Sequence, residues 1–305
     1  MSVQTLSYKS YRWLNIENPT AEEIESLKDE FPFHPLNLED YQTKTQSPML
    51  DLYRYYTLFV LDFPYLSPDG NRVLVDEVDF FLGNDYVVVL HDGKLPFLDE
   101  IFRRCQGNKK TLQRFLNKGP HFLFYRLADI LIDSCFPILD KLNTKTEQID
   151  KDVLEGSGEN ILGQISLQRR NVIIFQTMVK PALPIFEKLE RGEIERFNSD
   201  MQNYWSNLLD HLNKIWERLE DLRELNEGLS ATYESLLSYR TNEIIKILTM
   251  FSAVMLPLTL IASVYGMNVV GLPGSQHPLI IVLITALMAG VAIVMLIYFK
   301  FKKWL

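Results

Sequence analysis

The chain has 305 residues, 47% hydrophobic and 23% charged, with 14 Gly and 14 Pro; these totals exclude a disordered, collagen-like or disulfide-built protein and suggest about two domains. Its 31 basic against 39 acidic residues give a formal charge of −8, so no broad basic face for phosphate backbones is expected and nucleic acid is not a predicted partner. The two cysteines, Cys105 and Cys135, form no Cys-x-x-Cys pair for zinc or redox work, which fits a reducing compartment.

The first ten residues lack a continuous apolar run of signal-peptide length, so no exported N-terminal domain is expected. Residues 1–120 read as a mixed α/β domain. Thr20-Ala-Glu-Glu23 forms a capping-box pattern that opens an acidic helix running to about Phe31. Strand signals follow over Tyr53–Phe63, Val73–Leu82 and Asp85–His91. Pro68-Asp69-Gly70-Asn71 and Gly83-Asn84 mark the two hairpin connections between them. The sheet is therefore predicted to be largely antiparallel at this point, with helices on one face.

From about Pro120 the pattern turns helical, and 121–246 reads as long helices and a stalk. Helices are predicted over 121–154, 160–190 and 199–265, separated at Gly156-Ser-Gly158 and at Gly192 to Ser199. Pro181 and Pro184 should kink or interrupt the second. The third has no proline before Pro257 and a single glycine, Gly228; as one rod it would measure roughly 100 Å.

The charge distribution is asymmetric. After Lys246 no Asp, Glu, Lys or Arg appears until Lys300. With Lys300, Lys302 and Lys303 set aside, residues 1–246 hold 28 basic against 39 acidic groups, a net of −11. The uncharged stretch divides at Gly271-Leu272-Pro273-Gly274 into two apolar runs, 247–265 and 278–299, each about long enough to cross a hydrocarbon core of roughly 30 Å as a helix. This predicts a multi-pass protein of the cell membrane, with 266–277 as a short external loop and 300–305 as a basic tail. Arg240 and Lys246 precede the first span and the three lysines follow the second, while the loop has no basic residue; both termini are expected in the cytoplasm. Tyr265, Tyr298, Phe299 and Trp304 stand where interfacial aromatics belong.

On a helical wheel at roughly 100° per residue, with Asn242 at zero, Thr249, Ser252, Thr259 and Ser263 fall within an arc of about 80°. Ile245, Leu248 and Leu256 share or flank that arc, while Ile247, Phe251, Val254, Leu258 and Ile261 point away. Such a stripe serves either helix–helix contact through small hydroxyl residues or the lining of a pore. Two spans cannot enclose an aqueous path, so a pore requires a symmetric homo-oligomer with the first span of each subunit on the axis. Without intramembrane carboxylates, the ion that suits neutral oxygens is one that keeps its water, and Mg²⁺ dehydrates reluctantly. Leu248 and Leu256 would then close the path by dewetting.

Other chemistry finds little footing. The five histidines show no i,i+3 or i,i+4 His pairing for zinc. Acid groups such as Asp76-Glu77 with Asp79, Glu147 with Asp150 and Asp152, and Glu217 with Glu220 and Asp221 read first as solvated faces. No Walker loop, Gly-x-Ser-x-Gly elbow or Gly-x-Gly-x-x-Gly fingerprint appears, so the chain is not expected to be an enzyme or to need an organic cofactor.

The first span ends in Tyr265-Gly266-Met267-Asn268. Together with Thr241-Asn242-Glu243, Lys246, Leu248, Leu256-Pro257-Leu258-Thr259 and the terminal Lys302-Lys303-Trp304-Leu305, and more loosely His34-Pro35-Leu36, Leu38-Glu39-Asp40 and Gln46-Ser47-Pro48, it resembles the CorA-type divalent-cation transporter family. That resemblance implies a funnel-shaped homopentamer that passes Mg²⁺, and Co²⁺ or Ni²⁺, down its electrochemical gradient under regulation by cytoplasmic Mg²⁺ at carboxylates between subunits. It implies a selectivity filter at Gly266, Met267 and Asn268, with Asn268 facing the hydrated ion, a cytoplasmic ring at Asn242, constrictions at Leu248 and Leu256, and Thr259 on the path. A branch of the same fold that moves Zn²⁺ typically has another residue in place of Met267, and a non-conducting membrane-anchored sensor or scaffold is the reading from a different class.

The family commonly follows the tripeptide with an acidic Met-Pro-Glu-Leu loop, whereas this chain has the uncharged run Val269-Val270-Gly271-Leu272-Pro273-Gly274-Ser275-Gln276-His277. The outer mouth is thus expected to capture cations weakly. Uptake measured against ionic strength should show a shallow dependence; a steep one would contradict a neutral mouth.

Overall fold

A computed structural model describes residues 3–43, 47–156, 160–197, 199–267 and 279–304. The chain divides into two units, Met1–Ser230 and Ala231–Leu305. The first is organised by six strands: β1 (Val3–Tyr8), β2 (Tyr11–Glu17), β3 (Met49–Leu52), β4 (Thr57–Leu66), β5 (Val73–Leu82) and β6 (Tyr86–His91). Their order in the sheet is β1-β2-β6-β5-β4-β3. Every neighbouring pair is antiparallel except β2–β6. The predicted turns are where the meander folds back: Ser67 N–H donates to Arg72 C=O across the β4–β5 turn, where Gly70 takes φ +70°, and Gly83 N–H donates to Tyr86 C=O before β6.

Helices cover both faces of the sheet, not the one face expected from the sequence. The reason lies in the central strands: Val87 to Leu90 are fully buried, and a continuous apolar run has two faces to hide. Against one face pack α1 (Ala21–Glu30) and α2 (Pro35–Thr43), with Leu14, Ile16, Phe31, Phe33, Tyr56 and Phe81 in a common core. Thr20 and Glu23 form the capping box that starts α1. The larger core on the other face draws on α3 (Pro96–Gly107), α4 (Lys109–Leu116), α5 (Pro120–Asp133), α6 (Cys135–Glu155), α7 (Ile161–Glu190) and the start of α8 (Gln202–Tyr265). Phe124 of α5 stacks on Phe59 at 4.2 Å and meets Phe80 edge-on at 5.1 Å, so aromatic contacts tie the helical layer to β4 and β5.

The first predicted long helix is two. Ser134 separates α5 from α6, its N–H satisfied by Ile130 C=O. At the predicted break, Gly156 ends α6 in the left-handed conformation and caps Asp152 C=O. Pro181 and Pro184 lie inside α7 without interrupting it as a helix, because burial of one of its faces outweighs the lost backbone hydrogen bonds. The third prediction corresponds to α8, 64 residues long. In the second unit the end of α8 is followed by α9 (Ile280–Phe301).

Two acids of β5 depart from the expectation of a solvated face: Asp76 and Asp79 are both 2% exposed. Asp76 accepts a hydrogen bond from Lys94 N–H at 3.1 Å. Asp79 keeps one buried oxygen without a hydrogen-bond partner, and burial, then the charge of Glu77, pushes its carboxyl well up. On β4, directly across from Glu77, Asp62 is pushed up to about 6 by burial and by Asp76. The folded Asp62 carboxyl thus holds its proton to about pH 6, while an unfolded one releases it near pH 4. The folded state binds the extra proton between those values, so stability falls as pH rises through that window. Asp62→Asn should therefore stabilise the soluble unit by about 2 kcal/mol at pH 7.5 and have little effect at pH 4; thermal melts showing the same gain at both pH values would contradict this.

Candidate conduction helix and cation cluster

Both candidate spans pass the test of length and apolarity for crossing a membrane, with none of either window buried inside the chain. Helix α8 carries Asn242, Ile245, Leu248, Thr249, Ser252, Leu256, Thr259 and Ser263 in its second half. All except the half-buried Ser252 are exposed. Its other half-buried residues, among them Glu243, Lys246, Met250, Val254, Pro257 and Ile261, recur at three- and four-residue steps. On the wheel that line centres near 80°, roughly opposite the predicted lining arc. Helix α9 carries a matching half-buried line at Ile280, Ile284, Met288, Ala292, Met295 and, fully buried, Phe299. The face bearing the hydroxyls is thus the one a single chain leaves uncovered, and one chain does not bring these residues around a common space.

Two of the hydroxyls on that face are already donating. Thr249 Oγ1 gives its hydrogen to Ile245 C=O at 2.7 Å and Thr259 Oγ1 to Met255 C=O at 2.8 Å. Each oxygen therefore turns only lone pairs outward, which suits a cation or the hydrogens of ordered water. Pro257 has no N–H to offer, so the carbonyl of Ala253 is released from the helical ladder at about 20° on the wheel, beside the Asn242 position. At the end of the helix Gly266 N–H donates to Ala262 C=O at 2.8 Å and Met267 N–H to Val264 C=O at 3.4 Å. A Cβ on Gly266 would stand 3.0 Å from that Ala262 oxygen, so the tight exit from α8 favours glycine. Asn268, the predicted filter residue, lies outside the described residues.

A second feature escaped sequence reasoning. Asp129 and Asp133, one turn apart on α5, meet His211 of α8 with one ligand atom from each residue all within 4.8 Å of one another. His211 Nδ1 is 3.0 Å from Asp133 Oδ1, yet it has no partner aligned for a hydrogen bond. Asp129 is raised by burial and by Asp133, against the opposing pull of Arg126, whose Nη1 is 3.3 Å from its Oδ2, and of His211. Two crowded carboxylates and an imidazole whose Nδ1 has no aligned partner form a set that a divalent ion, taking the nitrogen's lone pair, would satisfy. The i,i+4 acid pair was legible, but the histidine that completes it stands 78 positions away on another helix, and a search for paired histidines passes over it.

An α/β unit, a 64-residue helix whose C-terminal part is long and apolar enough to cross a membrane, and a second such helix are the architecture of a two-span membrane protein. A family model described as CorA-like Mg²⁺ transporter protein matches residues 8–303, and the chain belongs to that family of divalent-cation transporters. It is 26% identical over 294 residues to the cobalt/magnesium transport protein CorA of Thermotoga maritima, covering 96% of this chain and 83% of that one. Its fold matches the complete structure of the CorA magnesium transporter from Methanocaldococcus jannaschii with a TM-score of 0.86 at 19% identity, over 98% of this chain and 94% of that one. The ZntB cytoplasmic domain from Vibrio parahaemolyticus aligns with a TM-score of 0.61 at 10% identity, over 76% of this chain and 90% of that domain.

Proposed function

We propose that five copies of the chain assemble around an axis and conduct Mg²⁺, and also Co²⁺ and Ni²⁺, down the electrochemical gradient. The observation that carries this reading is the uncovered face of α8, where the Thr249 and Thr259 oxygens, their hydrogens already given to the helix, alternate with Leu248 and Leu256 and lead to Gly266-Met267. Repeated around an axis, that face makes rings of neutral oxygens for an ion that keeps its water, separated by apolar rings that exclude water when narrow. Asn242 forms the ring at the cytoplasmic mouth and Asn268 the outer selectivity ring. The lysines flanking the two spans hold both termini in the cytoplasm. An interior-negative potential then favours entry of a divalent ion by about 4.6 kcal/mol per 100 mV.

Regulation falls to the cluster of Asp129, Asp133 and His211. A cytoplasmic divalent ion there screens the two carboxylates from each other and ties α5 to α8, the helix that continues toward the membrane. The imidazole favours Co²⁺, Ni²⁺ or Zn²⁺ at this point over Mg²⁺. Zn²⁺ as the transported ion is the second reading, favoured by the ZntB-like fold of the soluble domain and opposed by Met267.

Asn268→Ala should abolish Mg²⁺ flux into proteoliposomes while leaving the oligomer intact; unchanged flux would remove Asn268 from selectivity. A metal-by-metal flux assay decides between the two ions, with Zn²⁺ passing and Mg²⁺ not passing as the result against a magnesium pathway. Combining Asp133→Asn with His211→Ala should raise the Co²⁺ concentration needed to stabilise the full-length protein against heat by about tenfold or more. An unchanged midpoint would show that the cluster binds no regulatory ion.

A further inference from the structure

The soluble unit contains a cleft of about 650 Å³ between the β4–β5 hairpin and helices α6 and α7, distinct from the conduction face and from the Asp129 cluster. That volume is in the range of small-molecule sites. Its walls are mainly apolar, with Leu66, Leu142 and Leu167 contributing. Lys141 and Lys145, one turn apart on α6, also line it. Neither forms an ion pair among the described residues, although residues 1–246 carry a net of −11. Gly70 approaches Lys141 so closely that a Cβ on it would stand 2.7 Å from Nζ, so the bare hairpin backbone leaves room for that ammonium group. From α7 comes Gln168, 5% exposed, whose Oε1 is buried and has no hydrogen-bond donor.

These groups specify a ligand by its parts. Two unpaired cations call for an anion with several oxygens. The leucines call for an apolar body, and the buried Gln168 oxygen calls for an N–H or O–H donor. Inorganic phosphate would leave the leucines wet and the glutamine unmet, while a fatty acid would bring no donor. We propose that this cleft binds an adenine nucleotide, with its phosphate on Lys141 and Lys145, its ring against the leucines, and its exocyclic amine donating to Gln168 Oε1. The geometry of a carboxamide reading an adenine edge is the same one that glutamine uses elsewhere.

The test is equilibrium binding to the purified full-length protein in detergent. The probes are AMP, purine riboside 5′-monophosphate, which lacks the 6-amino group, adenosine and inorganic phosphate. AMP should bind saturably and more tightly than any of the other three. Lys141→Glu with Lys145→Glu should weaken AMP by at least about tenfold. Gln168→Leu should weaken AMP by about fivefold and make it equal to its deaminated analogue. Should Gln168→Leu fail to fold, the wild-type preference for AMP over that analogue carries the same information. No saturable AMP binding, equal affinity for AMP and inorganic phosphate, or lysine variants with undiminished affinity would each overturn the proposal.

Discussion

Lipid offers no hydrogen bonds, so every polar group inside the two candidate spans has to be satisfied within its own helix, by another copy of the chain or by water in a lined path. The structure meets this demand locally wherever it can. Thr249, Thr259 and Thr285 each donate to the carbonyl one turn back, so none of these hydroxyls needs a neighbour to hold its hydrogen. On α8 the two threonines leave only lone pairs outward, and Pro257 adds the released Ala253 carbonyl. Acceptors of this kind suit a cation or the hydrogens of water, a preference that derives from the direction of the hydrogen bonds, not from composition.

The soluble unit answers a different constraint. Its central strands are apolar on both faces, so helices must close both sides. The price is that the acids the sequence distributes along β4 and β5 are drawn into the interior, where Asp76 receives a backbone N–H and Asp79 does not find a full complement of partners. Elsewhere the same unit places charge where it can be matched: α5 brings Asp129 and Asp133 to His211 at the surface of α8, and Arg126 lies beside Asp129. The buried acids thus bear on stability, while the surface cluster with its histidine offers three ligand atoms within 4.8 Å of one another.

Much of this was readable from residues alone, and the limits have physical causes. The capping box at Thr20, the turns at Gly70 and Gly83, the break at Gly156 and the long α8 carry local signals, and each is found where it was expected. Long-range pairing has no local signal. The parallel β2–β6 pair joins residues some 74 positions apart, and β1 and β2 were not distinguished at all. Ser134 breaks the first helix without glycine or proline, and α7 accommodates two prolines because its buried face holds it. For the site, periodicity identified the stripe on α8, but the lone His211 became meaningful only when α8 was laid beside α5.

The unmatched carboxyl of Asp79 couples folding to proton uptake. Formal tallies count it among the 39 acids as a full negative charge, yet burial, then the charges of Glu77, Asp62 and Asp40, favours its protonated form in the folded chain. Unfolding returns the group to water and removes that bias, so the native fold is the state that grips this proton more tightly.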